Sequence, residues 1–404
     1  MAGFPCPAAA PAVLPAVRCR SGTLDGPTVR VDLDAVEHNY RHLRVRGTTI
    51  VPVVKADAYG HGLVAVARRL GRSGADHLAV GTLTEAAALR RAGFAGRVTA
   101  LLGPTSRLDY ERAYALGVVP VVHRLDQLFE LGAHARSGDC RRDIVLKLDT
   151  GMGRLGLGPA AVGEAVEILR FSPGLQLTGV YSHLATADLP NHLSLRRQAD
   201  RFVDLCRQLR SAGFAFEESL ANSAALLARP DLHFDLQRPG IALYGVNPLR
   251  GTPWEDRGAG LRPAMTVVAP VIAVHPLRTG EGIGYGLSFV ARRDMTIAIV
   301  GVGYADGYSR SLSNRAQMVI RGSRVDVVGR VSMQMTAVDV SAVPSVAAGD
   351  EACVLGGGPG GVSAEELADC WGTIPYEVLC LLGRNGSDHE VPLGETRGGS
   401  FDDC

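Results

Sequence analysis

Short β-branched runs recur roughly every 20 to 40 residues, the length of a βα unit, and amphipathic stretches separate them. After about Gly245 the texture changes to long β-rich runs. These observations predict an α/β chain, an N-terminal (β/α)8 TIM-type barrel followed by a C-terminal mostly-β domain.

The first element is TVRVDL, where Val29, Val31 and Leu33 alternate with Arg30 and Asp32 at the period of a half-buried strand. Asp34 is then expected to cap a helix whose apolar stripe is Val36, Tyr40 and Leu43. From Ile50 to Leu236 the runs TIVPVV, HLAV, RVTALL, VVPVV, IVLKL, LQLTGVY and FAFEESLA read as strands. Their continuous apolar character implies a parallel sheet covered on both faces, and a count of about eight favours closure into a barrel. Between two of them, Leu195, Ala199, Phe202, Cys206 and Leu209 fall on one helical face. No GxGxxG follows the first strand, which speaks against a dinucleotide site.

The later runs MTVVAPVIAV, MTIAIVGVGYADGY, AQMVIRGSRVDVVGRVSMQMTAVDV and EACVLG are strand-like, with one short helix expected at SAEELADCW. The expected organisation is a tail over 1–27, a barrel over 28–246, a β-rich domain over 247–392 entered through a linker containing GTPWEDRGAG, and a disordered tail over 393–404.

Composition excludes several function classes. Apolar residues make up 46% and charged residues 21%, and the formal charge is only +1, so nothing gathers nucleic acid or anionic lipid. The eight cysteines form no CxxC pair and no Cys/His cluster, so neither a disulfide framework nor a metal site is expected. Prolines break the apolar stretch at the N-terminus, and the arginines follow it, the reverse of a secretory signal. No uninterrupted apolar stretch reaches roughly 18 residues, so a cytoplasmic location is expected. Small molecules and other protein chains are the expected partners.

The segment VPVVKADAYGHG carries the chemistry, because Lys55 stands at the carboxyl end of an apolar barrel strand, where barrel active sites lie. A lone lysine there is usually just solvated. The tyrosine and glycines that follow point to a lysine with a lowered pKa, suited to forming a Schiff base beside a phosphate cradle. Two later segments offer that cradle. ANSAAL opens a helix at Asn222 and Ser223, and RPGIALYG supplies Gly240 for close backbone approach. Taken singly, the first reads as an N-cap and the second as a turn.

The chain resembles alanine racemase over about Val29 to Leu382, through VVKADAYGHG, KLDTGMGRLG, YSHLATAD, ANSAA, RPGIALYG, IGYG, VGYADGY, GRVSM and IPYEV, in that order. Nine ordered motifs across two domains are specific where one would not be. The resemblance implies a pyridoxal 5'-phosphate enzyme interconverting L- and D-alanine for cell-wall peptidoglycan. Lys55 would bear the cofactor and act as one base, and Tyr285 of the partner subunit would be the other, so a homodimer with shared sites is implied. Tyr59, Ser223, Gly240, Ile241 and Tyr376 would bind the phosphate, with Asn222 beside them. Arg238 would contact the pyridine nitrogen and His183 would hydrogen-bond Arg238. Arg154 and the backbone of Met333 would hold the substrate carboxylate, and Lys147 matches a lysine that relatives carry as a carbamate. Gln334 departs from the pattern, which usually has Asp there. The other readings are a racemase of another or broader amino-acid range, such as serine, and a fold-related decarboxylase.

Overall fold

A computed structural model describes residues 26–44, 49–135, 141–189, 191–385 and 387–390. Strand β1 (Thr28–Asp32) leads into the helix Leu33–Arg44, which buries Val36, Tyr40 and Leu43 as the stripe requires. The cap is Asp32, whose Oδ1 accepts the amide of Ala35 at 2.9 Å, and not the expected Asp34. Asp34 lies in the first turn of the helix and pairs instead with Arg69. The helix starts two residues earlier than a cap at Asp34 would place it, so the acid that precedes Leu33 reaches the free amides.

Eight parallel strands follow: β2 (Thr49–Ile50), β3 (His77–Val80), β4 (Arg97–Ala100), β5 (Val118–Val122), β6 (Arg142–Lys147), β7 (Leu175–Tyr181), β8 (Glu217–Ser219) and β9 (Leu236–Gln237). Strands β3 to β8 pair in sequence order, and β2 pairs with β9. The bridge Val53–Ala79 joins β2 to β3, and bonds from Asp235 N to Glu218 O (3.1 Å) and from Arg238 N to Ala221 O (2.9 Å) join β9 to β8. The sheet therefore closes into the expected barrel. Every residue of β3 and β5 is buried, as strands covered on both faces demand. Outside them the helix Leu193–Ser211 buries Leu195, Ala199, Phe202, Cys206 and Leu209.

The chain divides into two compact units, Val29–Met265 with the described residues from Ile374 onward, and Thr266–Thr373. This differs from the sequence-based boundaries at 246/247 and at 392. The expected linker is folded onto the barrel: buried Asn39 donates to Arg262 O (2.8 Å) and Leu243 O (3.0 Å), and Arg257 donates to Ala228 O (2.6 Å). Polar, Gly-rich composition marks a loop, but it does not reveal that a buried amide elsewhere fastens it. At the other end the helix Pro375–Leu382 belongs to the barrel unit. The expected tails lie outside the described residues, save positions 26 and 27.

The second unit is antiparallel. It contains β10 (Met265–Leu277), the short pair β11 (Gly282–Ile283) and β12 (Phe289–Val290), then β13 (Met295–Val300), β14 (Gln317–Ile320), β15 (Ser323–Asp326), β16 (Thr336–Asp339) and β17 (Glu351–Leu355). Strand β10 pairs with β13 and β17, β13 with β16, and β14 with β15 and β17. Leu277, Ala291, Met295, Ile297 and Val328 form one of its cores. The expected helix runs over Ala364–Trp371, capped by Ser363. A last strand, β18 (Ser387–Glu390), pairs in parallel with β1.

Two glycines test the packing. At Gly60 φ is +80°, and an added Cβ would lie 2.6 Å from Leu379 O and 2.9 Å from Gly383 Cα, both backbone atoms. At Gly93 φ is +84° with open space around it. We expect Gly93→Ala to lower the urea unfolding free energy by about 1 kcal/mol and Gly60→Ala by about 2–3 kcal/mol or more. Equal losses would mean that the helix Pro375–Leu382 does not press on Gly60 in solution.

His77, inside the barrel, shares a 2.9 Å hydrogen bond with Thr99 Oγ1, and burial followed by the charge of Arg97 pulls its pKa down from 6.5 to about 3. The unfolded chain binds this proton below pH 6.5 while the folded one refuses it until about pH 3, so stability present at neutral pH falls away across that window. At pH 4.5 the loss is roughly 2–3 kcal/mol. His77→Gln should flatten this acid limb in urea titrations, and parallel limbs in the two proteins would refute the assignment.

Candidate active site

The carboxyl ends of the strands open into a cavity of about 730 Å³. Lys55, Tyr59, Lys147, Arg154, His183, Asn222, Ser223, Arg238, Gly240, Ile241 and Tyr376 all line it, which is every barrel-unit residue singled out in the sequence.

Lys55 follows the extended segment that carries on from β2, in which Val53 N donates to Pro239 O at 2.9 Å and Val54 N to Ala79 O at 2.8 Å. The chain then does something its sequence does not announce. Ala56, Asp57, Ala58 and Tyr59 take φ of 53° to 55°, one turn of left-handed helix. L-residues resist this conformation because Cβ crowds the next carbonyl, at roughly 1–2 kcal/mol each. Contacts on every side hold the turn. Ala56 N donates to Glu85 Oε1 (2.6 Å), Asp57 Oδ1 accepts Leu63 N (2.7 Å), and His61 Nδ1 lies 3.0 Å from the carbonyls of Ala58 and Tyr59. Tyr244 stacks on His61 with ring centroids 4.4 Å apart and lies 4.9 Å from the ring of Tyr59. The turn delivers Lys55 to the cavity and Tyr59 to its floor.

Ser223 Oγ accepts the amides of Gly240 (2.9 Å) and Ala242 (3.3 Å), tying the ANSAA turn to the RPGIALYG turn. The cap of the helix Ser223–Ala228 is Asn222, whose Oδ1 accepts Ala225 N at 3.1 Å. A Cβ at position 240 would collide with Tyr59 Oη, so glycine there keeps the hydroxyl against the turn. Tyr376 stands 6.1 Å from the Tyr59 ring, and burial pushes its phenol up to about 12.

Arg238 is buried, and burial pulls its guanidinium down to about 10, so it stays protonated at neutral pH. It donates to Ser219 Oγ and, at 2.6 Å, to Ser182 O, and it lies over the ring of Tyr181 at 4.7 Å. The expected hydrogen bond from His183 is not among those of the described residues. Ser219, at the end of β8, and the carbonyl of Ser182 take that orienting place. His183 is itself fixed through its backbone, since buried Gln198 donates to its carbonyl (3.0 Å) and accepts the amide of Ala185 (2.9 Å). Burial, then Lys147, Arg238, Arg154 and Lys55, hold the His183 imidazole well below its usual range, so it is neutral.

Arg154 projects from the loop after β6. Asp149 Oδ1 organises that loop by accepting the amides of Gly151 (2.9 Å), Met152 (3.0 Å) and Gly153 (3.1 Å). Burial, then Arg238 and Arg154, hold Lys147 well below the usual lysine range, and burial followed by Arg154 lowers Lys55 as well. Lys55, Lys147, Arg154 and Arg238 thus converge on one cavity whose nearby carboxylates are Glu85 and Asp149, each already accepting backbone amides. Such a wall suits an anionic ligand with phosphate and carboxylate groups. Tyr59 Oη, Ser223 Oγ and the turn at Gly240 are brought together on the lining of this cavity, a set of donors able to take an anionic group.

Tyr285 and Met333 lie in the second unit. Tyr285 begins a short turn between β11 and β12, flanked by Gly284 (φ 72°) and Gly286 (φ 67°), and is 65% exposed. Met333 is 57% exposed, and its carbonyl accepts Ala305 N at 2.8 Å, which binds the GRVSM loop to the VGYADGY loop. Gln334 beside it is exposed. Sequence reasoning missed Glu85, Ser182, Gln198, Ser219 and Cys380, the last of which also lines the cavity. For Glu85 a signal existed, since Thr82 and Glu85 form a capping box at the start of the helix Leu83–Arg91. Ser182, Gln198 and Ser219 act through a backbone carbonyl or side-chain bonds that no short motif encodes.

The chain matches the N-terminal domain of alanine racemase over residues 31–248 and the C-terminal domain over 264–388. It is 52% identical over 362 residues to the alanine racemase of Nitratidesulfovibrio vulgaris (strain Miyazaki F), covering 89% of this chain and 97% of that relative. The crystal structure of alanine racemase from the D-cycloserine-producing Streptomyces lavendulae superposes with a TM-score of 0.85 at 37% identity, covering 93% of this chain and 99% of the other. The enzyme from Bartonella henselae, crystallised with covalently bound pyridoxal phosphate, gives a TM-score of 0.82 at 28% identity, with 90% and 99% covered. Whole-length agreement in sequence, domain order and fold leads to one conclusion: the chain belongs to the alanine racemase family.

Proposed function

We propose that the chain interconverts L- and D-alanine with pyridoxal 5'-phosphate held in the barrel cavity, and that it works as a homodimer in the cytoplasm, supplying D-alanine for cell-wall peptidoglycan. The observation that carries this reading is the convergence of Lys55, the turn at Ser223 and Gly240, and the cationic wall of Arg154 and Arg238 on one cavity. When bound, the cofactor withdraws electron density from the substrate α-carbon and so makes its hydrogen acidic.

The protein's own groups do the rest. Lys55 Nζ would hold the cofactor, and its amine would move the α-proton on the face where D-alanine carries it. Burial and then Arg154 lower its proton affinity, the direction a proton-accepting amine needs. Arg154 grips the substrate carboxylate as a fixed fork, joined by the backbone amide of Met333 of the partner subunit. Tyr59, Ser223, Ile241 and Tyr376 bind the phosphate and, with neighbouring apolar side chains, exclude water.

Arg238 would hold the cofactor's ring nitrogen by a hydrogen bond without giving up a proton, because its guanidinium stays charged. Neutral His183 adds no further charge to a cationic wall. Lys147, whose proton affinity burial and then Arg238 and Arg154 lower, is suited to combine with carbon dioxide as the free amine, lose a proton and carry a carbamate facing Arg154. Tyr285 Oη of the partner subunit moves the proton on the opposite face, where L-alanine carries it. Gln334, in place of the usual Asp, leaves that neighbourhood without a carboxylate.

Exchange of the alanine α-hydrogen in deuterated water tests the whole reading, and a screen over the common amino acids gives the substrate range. We expect Lys55→Ala to lose the visible absorbance of the lysine-linked cofactor and to lower exchange on the order of 10³-fold or more. A borohydride-trapped cofactor on another lysine would sink the assignment. Tyr285→Phe should keep the absorbance and lower exchange from L-alanine on the order of 10²- to 10⁴-fold, with a smaller effect from D-alanine. Mixing the two variants should restore part of the activity, since one hybrid site contains both bases. No recovery after verified subunit exchange would argue against sites shared between chains.

A further inference from the structure

We propose that Glu85 is a positioning residue for Lys55, fastening the strained turn that aims the lysine into the cavity. Glu85 stands in the first turn of the helix after β3, and its carboxylate spans the ends of two strands. Oε1 accepts Ala56 N at 2.6 Å, and Oε2 accepts Gly81 N at 2.8 Å and Thr82 N at 3.0 Å. Ala56 is the first left-handed residue after Lys55, so its amide is the point at which the peptide plane beyond the lysine can be fixed. Pinning that plane fixes the rotation that would otherwise swing the lysine side chain.

Position 81 shows how close the two groups lie. A Cβ on Gly81 would lie 3.1 Å from Glu85 Oε2 and 3.4 Å from Lys55 Cβ, so the missing side chain lets carboxylate and lysine share one wall. Glu85 also opposes the cations around Lys55. The groups facing the lysine are Arg154, Arg238, Lys147, His183, Cys380 and Glu85; burial, then Arg154 and Arg238, weaken its hold on a proton, whereas Cys380 and Glu85 strengthen it. Misplacing a reacting group by about 1 Å costs on the order of 10²-fold in rate, so a clamp beside the lysine weighs on turnover more than on substrate affinity, which Arg154 governs.

The test uses the holoenzyme, with steady-state kinetics and a pH titration of the visible cofactor band. Glu85→Gln removes the charge and turns a donor toward the amides that the second oxygen accepted. We expect kcat to fall about tenfold, KM to stay within about twofold, and the midpoint of the band to move to lower pH by roughly half a unit or more. Glu85→Asp keeps the charge but is one methylene short of Ala56, so kcat falls with a smaller shift of the midpoint. Ser106→Ala removes the cap of the next barrel helix, where Ser106 Oγ accepts Asp109 N, and should lower only the melting temperature. An unmoved midpoint with kcat within about twofold in Glu85→Gln overturns the proposal, as does an equal shift in Ser106→Ala. If only Glu85→Asp folds, kcat within twofold of the parent has the same force. The proposal rests on the reading of Lys55 given above. Absence of a lysine-linked band in the parent protein overturns both, whereas a parent band with unchanged Glu85→Gln behaviour overturns the role of Glu85 alone.

Discussion

Four consecutive L-residues in left-handed conformation form the constraint around which the barrel unit is organised. At roughly 1–2 kcal/mol per residue the turn would unwind in isolation. Its surroundings therefore read as a frame. Gly60 is pressed against Gly383, His61 and Tyr244 stack beneath, and Asp57 and Glu85 take the exposed amides. Strain persists at such places when neighbouring structure over-determines it, and here it aims a lysine and a tyrosine from the two ends of one turn into one cavity.

The second organising element is charge. Lys55, Lys147, Arg154 and Arg238 face one cavity, and the carboxylates near them are engaged with backbone amides. Burial and mutual repulsion push Lys55 and Lys147 toward the neutral amine, while Arg238 keeps its proton. The same crowding that costs folding energy thus sorts the cations into those that can exchange a proton and one that cannot. Ser182 shows how closely the sorting is wired: its carbonyl accepts from Arg238 while its hydroxyl bonds Leu148 O and Thr150 Oγ1 at the root of the Arg154 loop.

Much of this was legible because periodicity reports burial. Continuous apolar runs such as VVPVV and the face Leu195 to Leu209 revealed the barrel and its outer layer. Ordered motifs located the lining residues. What stayed hidden depends on distant partners. Asp34 looks like a cap until Asp32 is seen to reach Ala35, and the stretch after Asn247 looks like a free linker until Asn39 is seen to hold Arg262. The KADAYG turn carries no hint of handedness, since Ala, Asp and Tyr ordinarily avoid it. Arg238 was expected to lean on His183, yet its partners come from the ends of β7 and β8, whose short polar side chains and carbonyls leave no pattern to read.

The helix Pro375–Leu382 belongs to the barrel unit although Thr266–Thr373 intervenes, and it brings Tyr376 and Cys380 to the cavity. Vectorial synthesis then imposes an order of events. When the ring of strands ending at Gln237 has left the ribosome, the backbone that packs against Gly60 has not yet been made, so the strained turn emerges before part of its frame. Contacts of such long sequence separation form late, after loop closure has been met elsewhere. Until the helix Pro375–Leu382 has been made, the strained turn therefore lacks part of the frame that holds it.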